Sequence, residues 1–333
     1  MEAAILLSQS PYLVVDCEGR DIGRSNGQLS LLAIGTARAE HVFLFDVLNI
    51  RDATEPSLSA LLSLLSEASI PKIMWDGRCD YLEILLLYGV QMKEIWDLQV
   101  AEIASQALRG EGESKRMAEL AHRGGYTWKV VSRESHLFQG IYMVNGLAGI
   151  ARKFHLTNEL AKNPEVVAMH KAGESERWME RPLSPQLLQY SANDIYLIAT
   201  AFTFFEDNGW ILPDLSAQSA RYITPETSRE RRDMQDKLGS NRFLPLGVLS
   251  DPASQEGPLY DCLQCGRSLD LTCYENTVFR MKPASKAHGV RKTPISKEKL
   301  GALPESKRKA CCRLCTVCAM KSELVLDDSW VEL

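Results

Sequence analysis

Carboxylates two residues apart on an extended chain are the first feature of this sequence with chemical potential. In Val14-Val15-Asp16-Cys17-Glu18 the two acids end a short apolar run, and a strand's side-chain period of two turns both toward one face. Neighbouring carboxylates repel and resist joint ionisation unless a cation sits between them. A hard divalent ion such as Mg2+ or Mn2+ accepts such oxygens readily. A D-x-E alone is weak evidence, because ordinary acidic usage produces about one by chance in a chain of this size. Two further places supply acids. In Trp75-Asp76-Gly77-Arg78-Cys79-Asp80, Asp80 stands at a strand-to-helix junction of the kind where open α/β sheets bind ligands. A plain N-cap or first-turn acid reads the same way, and Asp76 competes for that role. In Gln189-Tyr190-Ser191-Ala192-Asn193-Asp194, Tyr190 and Asp194 share a helix face one turn apart. Asp194 lies within an apolar helix, where an unpartnered carboxylate is costly. That position asks for a cation or for hydrogen-bond donors, backbone included.

Thiols are the second chemical feature. Of nine cysteines, seven fall in the last 72 residues. Cys262-Leu263-Gln264-Cys265-Gly266 has the spacing of a zinc knuckle, two thiolates followed by a glycine for the tight turn. Its partner is the cluster Cys311, Cys312, Cys315 and Cys318, which contains two overlapping CxxC pairs. We expect a tetrahedral Zn2+ site from Cys262 and Cys265 with Cys315 and Cys318, Cys312 being the alternative and Cys273 a reserve ligand. The odd count and the lack of a secretory signal favour a reduced compartment and metal ligation over disulfides.

Composition bounds the rest. Apolar residues make up 45% of 333 and charged residues 24%, ordinary usage for a globular chain with a sizeable core. The formal charge of −5 argues against attraction of nucleic acid by the whole surface. Residues 276–321, however, hold twelve Lys and Arg against two acids, so an electrostatic grip on phosphate belongs mainly to the tail. The spacer with Arg291, Lys292, Lys297, Lys299, Lys307, Arg308 and Lys309 reads as a nucleic-acid track, a nuclear address or a solvated loop. No apolar stretch approaches the length of a membrane span, and the expectation is an intracellular protein, nuclear or cytoplasmic, without membrane contact.

These residues need positioning elements. Residues 12–16, 29–36, 41–46, 70–75 and 95–97 read as strands, with helices at 54–66, 80–88, 97–108, 144–154 and 185–205. Strands first in a meander, then alternating with helices, predict an α/β sheet whose first three strands are largely antiparallel. Residues 109–125, charged and Gly-containing, read as a mobile surface loop, 224–238 as a polar helix, and 239–257 as a linker. The expected division is 1–212 for the catalytic domain, 213–257 for helix and linker, and 258–333 for a Cys-rich basic tail.

Taken together, the three acidic places resemble, in order and local context, the DEDD exonuclease superfamily in its RNase D and Egalitarian-like branch. Asp16 and Glu18 match its first motif, and Asp80 with the following LLLYGV and the downstream IWDLQVA its second. Tyr190 and Asp194 match the third, and Trp178-Met179-Glu180-Arg181-Pro182-Leu183 is similar to the W-x-x-RPL run of RNase D. The resemblance covers about residues 10–206. It implies an RNase H-like mixed five-stranded sheet flanked by helices. It also implies two metal ions, one held by Asp16, Glu18 and Asp194, with Asp16 bridging to a second near Asp80, and a water oriented by Tyr190. The implied activity is 3′–5′ exonuclease action on RNA or single-stranded DNA, releasing nucleoside 5′-monophosphates. Competing readings are a catalytically silent adaptor that keeps the fold, and a zinc-dependent interaction protein. Trp178 and Arg181 are expected to be structural rather than substrate-gripping, and Arg78 and Gly77 are weaker candidates for phosphate contact.

Overall fold

The structure is a computed structural model that describes residues 2–50, 56–156, 164–225, 227–250, 257–276, 306–322 and 324–333. Behind a short helix α1 (Glu2–Ser8), strand β1 (Leu13–Arg20) occupies the centre of the sheet. It is followed by β2 (Gln28–Gly35), β3 (Val42–Asp46), α2 (Pro56–Ser66), β4 (Lys72–Met74), α3 (Arg78–Tyr88), β5 (Ile95–Asp97) and α4 (Leu98–Ala104). The strand order is β3-β2-β1-β4-β5. β2 runs antiparallel to both its neighbours, and β4 and β5 run parallel to β1. This is the RNase H-like mixed five-stranded sheet that the motifs imply. β1 is longer than the apolar run that marks it, because its ladder with β2 continues through Arg20 across a register shift between Glu18 and Gly19. Residues 54–55 of the expected second-helix start lie outside the described residues.

The middle of the chain is helical: α5 (Glu113–His122), α6 (Trp128–Arg133), α7 (Ser135–Phe138), a short β6 (Tyr142–Met143), α8 (Leu147–Lys153) and α9 (Pro164–Ala172). Helix α10 (Pro185–Asp207) then crosses the sheet. Its start is fixed by Pro185 in the first turn and by Ser184, whose hydroxyl accepts the Leu187 N–H, a standard N-cap. Ile195, Ile198, Phe202 and Phe205 bury its inner face against Val14, Ile34 and Ile73. Phe205 and Phe154 pack on Trp210 at centroid distances of 5.3 and 5.1 Å.

Residues 109–125 are not a loose loop. Within them α5 buries Met117 and Leu120, and Arg116 donates to the Phe138 and Ile141 carbonyls at 2.7 and 2.5 Å. The expected polar helix at 224–238 is α12 (Arg229–Leu238), which starts five residues later, and a separate helix α11 (Leu215–Ile223) precedes it. Of the expected linker, 239–250 carries β7 (Phe243–Leu244), paired with β6, and 251–256 lie outside the described residues. The tail forms β8 (Tyr260–Asp261), β9 (Ser268–Leu269), β10 (Lys307–Lys309), α13 (Arg313–Ala319) and β11 (Trp330–Glu332). Lys307, Arg308 and Lys309 of the basic spacer thus stand in a strand paired with β11. Arg291, Lys292, Lys297 and Lys299 lie outside the described residues. One apolar cluster joins α5–α7, β7 and the tail cysteines. Among the described residues no helix is long and apolar enough to cross a membrane.

Gly35 on β2 lies under α10, where an added Cβ would stand 2.5 Å from Ile195 Cγ2. Gly35→Ala should therefore cost about 1–3 kcal/mol by overpacking. Gly149→Ala, on α8 with open space around it, should be neutral or stabilising by up to about 1 kcal/mol. Urea unfolding of both variants checks the pair, and equal effects would contradict the close approach of α10.

Candidate active site

Opposed residues of an antiparallel pair share a face. Asp16 stands opposite Ala33 and Glu18 opposite Leu31 on β2, so the two acids and these small or apolar side chains face the same way. α10 lies over that face and delivers Asp194. Carboxylate oxygens of Asp16, Glu18 and Asp194 all lie within 4.8 Å of one another. Glu18 and Asp194 are buried and Asp16 is half-buried. Tyr190, one turn before Asp194, is buried with Leu31, Trp178 and Leu187. Its ring meets Trp178 edge-on at 6.3 Å.

Asp80 does not join the mutual group of three. β4 ends at Met74 and pairs with β1 only through Leu13 and Val14. Further along that edge the Asp80 carboxylate accepts the Cys17 N–H at 2.7 Å. It therefore sits against the backbone between Asp16 and Glu18. Burial pushes its pKa up to about 7, with Asp76 adding in the same direction.

The arginines are structural. Arg181 donates to both Asp46 oxygens at 2.7 Å and to Ser30, which holds the Asp46 carboxyl below its usual range. Arg78 is buried, paired with Asp76 at 2.6 Å and stacked on Tyr222, so it does not face a phosphate. Gly77 donates its N–H to Asp97 at 2.8 Å. Asp97 caps α4, and burial pushes it up to about 7. Among the buried acids that the sequence did not reveal is Glu83, on α3 one turn beyond Asp80, which accepts Gly23 N–H and Arg229. The signal that exposed Asp194, a carboxylate inside an apolar helix, was present at Glu83 too.

In the tail, the sulfurs of Cys262, Cys265, Cys312 and Cys315 lie within 4.8 Å of one another. The second pair is thus Cys312 and Cys315, in place of the expected Cys315 and Cys318. Cys312 is the N-cap of α13, and its N–H donates to Cys262 Sγ at 3.2 Å. Cys318 is three residues past Cys315, so the helical rise carries it about 4.5 Å further along the axis, and it is not one of the four. Cys273 lies apart, with its thiol on Asp270. Separations of 3.9 Å (Cys262–Cys315) and 3.6 Å (Cys312–Cys315) are far longer than a disulfide.

A strand-borne acid pair and a helix-borne acid converge over an RNase H-like sheet, and comparison with known proteins agrees with that class. The 3′–5′ exonuclease family model matches residues 1–209. The chain belongs to this family, within the DEDD superfamily, and is an exonuclease. Among solved structures it is similar to RNase D of Trypanosoma brucei in complex with RNA U12, at 21% identity over 68% of this chain and 67% of that one, TM-score 0.49. It is also similar to Escherichia coli RNase D, at 17% identity over 72% and 52%, TM-score 0.41. A third is Brucella melitensis NrnC with bound Mg2+, at 15% identity over 75% and 93%, TM-score 0.40. No curated protein sequence matches the chain.

Asp80 generates a pH prediction. With divalent ions chelated, a folded-state pKa raised from near 4 to about 7 means that the folded chain holds this proton more tightly than the unfolded chain. The resulting stability is complete below about pH 4 and is lost as pH rises to about 7. Asp80→Asn should lose less stability than wild type between pH 5 and pH 8 in EDTA, as read by urea unfolding. Identical losses would refute the burial of an ionisable group there.

Proposed function

We propose that the chain is a metal-dependent 3′–5′ exonuclease of the tyrosine-bearing DEDD type, acting on RNA or single-stranded DNA to release nucleoside 5′-monophosphates. The observation that carries this reading is the mutual approach of Asp16, Glu18 and Asp194 within 4.8 Å, with Asp80 bound to the backbone beside them. Hard oxygen donors at that spacing fit Mg2+ or Mn2+. Asp16, Glu18 and Asp194 would hold one ion, and Asp16 would be shared with a second beside Asp80. Two such ions would supply an activated water and charge stabilisation for the leaving oxygen. Tyr190 would orient that water through its hydroxyl. Between the two substrates, the motif resemblance to RNase D alone favours RNA. We assign residues 1–212 to the exonuclease, 213–257 to connecting elements and 258–333 to a zinc module.

In that module Cys262, Cys265, Cys312 and Cys315 would hold Zn2+. Four thiolates at a Zn–S distance of about 2.3 Å stand roughly 3.8 Å from one another in a tetrahedron, close to the sulfur separations of 3.6 and 3.9 Å.

Two experiments test this reading. Purified protein given a 5′-labelled oligonucleotide with Mn2+ or Mg2+ should shorten it stepwise from the 3′ end, and EDTA should stop the reaction. Asp16→Ala and Asp194→Ala should abolish cleavage with the fold intact, and Tyr190→Phe should lower kcat on the order of 10²-fold. Retained metal-dependent cleavage in either acid variant would overturn the assignment. Metal analysis should find zinc stoichiometric with the chain, lost in Cys262→Ser and Cys312→Ser and kept in Cys318→Ser. Loss in Cys318→Ser alone would reverse the choice of ligands.

A further inference from the structure

We propose that Glu83 is a positioning residue for the acidic site and that α12, through Arg229, is the element that holds it. The proposal rests on reading Asp16, Glu18 and Asp194 as metal ligands. Immediately past Glu18 the β1–β2 register shifts, and the ladder resumes through Gly19 and Arg20 into the turn between the strands. That turn is gripped by α3 and α12. Glu83 Oε1 accepts the Gly23 N–H at 2.8 Å. Gly23 has a φ of +80°, and a Cβ there would come within 2.5 Å of Cys79 Sγ, so the turn lies flush on α3. Glu83 is itself almost fully buried, and its carboxylate is met by Arg229, with Nη2 at 2.6 Å from Oε2 and Nε at 3.2 Å from Oε1. Removing the guanidinium would leave a buried acid without its cation, a strongly unfavourable state.

The remaining contacts of α12 converge on the same two segments. Asp233 accepts from the Ser25 N–H at 3.2 Å and from the Ser25 hydroxyl. Asp236 pairs with Arg24 at 3.3 Å, and Arg232 donates to Cys79 Sγ at 3.2 Å. Cys79 adjoins Asp80, and the turn begins three residues beyond Glu18. Residues 229–236 lie outside the stretch matched by the family model, which ends at 209. The metal-site geometry of this chain is thus completed from outside the matched region. The other side of α12 faces the tail: Arg231 Nη2 is 2.4 Å from where a Cβ on Gly266 would stand, and Leu238 lies in the apolar cluster of the tail cysteines.

The test uses the full-length protein, with Mn2+ affinity measured by calorimetry without substrate and cleavage of a 5′-labelled oligonucleotide measured alongside. Glu83→Gln and Arg229→Met should each weaken Mn2+ binding about tenfold and lower kcat, while KM for the oligonucleotide changes by less than about twofold. Arg229→Lys should recover most of the loss, and the double variant should be no worse than either single one. Ser25→Ala, at an exposed position, should give a smaller shift in the same direction without threatening the fold. Unchanged Mn2+ affinity and kcat in the folded variants, with only Tm lowered, would reduce the pair to a structural brace and overturn the proposal. Mn2+ binding that survives Asp194→Ala would instead sink the acidic-site reading, and this proposal with it.

Discussion

Three carboxylates whose oxygens come within 4.8 Å of one another have to be pressed together by something stronger than their repulsion. Two unit charges 4 Å apart at an effective dielectric near 20 interact by about 4 kcal/mol, a large share of the net stability of an ordinary domain. The acids themselves gain nothing from meeting. Their carriers do: β1 buries Val14, Val15 and Cys17 around its acids, and α10 buries Ile195, Leu197, Ile198 and Phe202 beyond Asp194. Each fully buried aliphatic or aromatic side chain is worth about 1.5–3 kcal/mol, so the core can impose the convergence. On the reading proposed here, a divalent cation then relieves it.

The distance between strand-borne and helix-borne acids depends on how closely α10 can approach the sheet. The face it covers is unusually smooth at the crossing, with Ala33 opposite Asp16 and Gly35 opposite Val14. Ile195, the neighbour of Asp194, fits into the space that Gly35 leaves. Tyr190 and Asp194 are fixed to each other by the helix and Asp16 and Glu18 by the strand. This packing surface joins the two pairs, and small side chains set its thickness at the crossing.

That logic explains what could be read in the residues beforehand. The acids and Tyr190 declare themselves because strand and helix periodicities act over four residues, and a short window is enough to see which side chains share a face. The five-stranded sheet was legible for the same reason, although β1 runs past its apolar marker because pairing with β2 stabilises residues of any polarity. The choice between Cys312 and Cys318 was not legible. Both lie three residues from Cys315, and only the start of α13 at Arg313 decides which of them turns toward Cys262. Residues 109–125 misled for a different reason. Met117 and Leu120 are too few to mark a helix alone, and the cluster they enter combines nearby residues of α6, α7 and β6 with tail residues more than a hundred positions away.

Long-range supply of that kind also governs how the tail and the nuclease are joined. Arg313, largely buried, donates to the carbonyls of His136 and Gln139 at the end of α7 and to that of Thr272 in the tail, so a single guanidinium satisfies acceptors on both sides. Tyr126 donates to the Val317 carbonyl at 3.1 Å and packs on Phe138. A buried cation bonded to backbone carbonyls is costly to expose or replace. The cysteine cluster and helices α5–α7 therefore stabilise each other as one core, although more than a hundred residues of sequence separate them. The order of the four thiols is tied to the order of the helical segment between β5 and α8, and through α12 to the turn that follows Glu18.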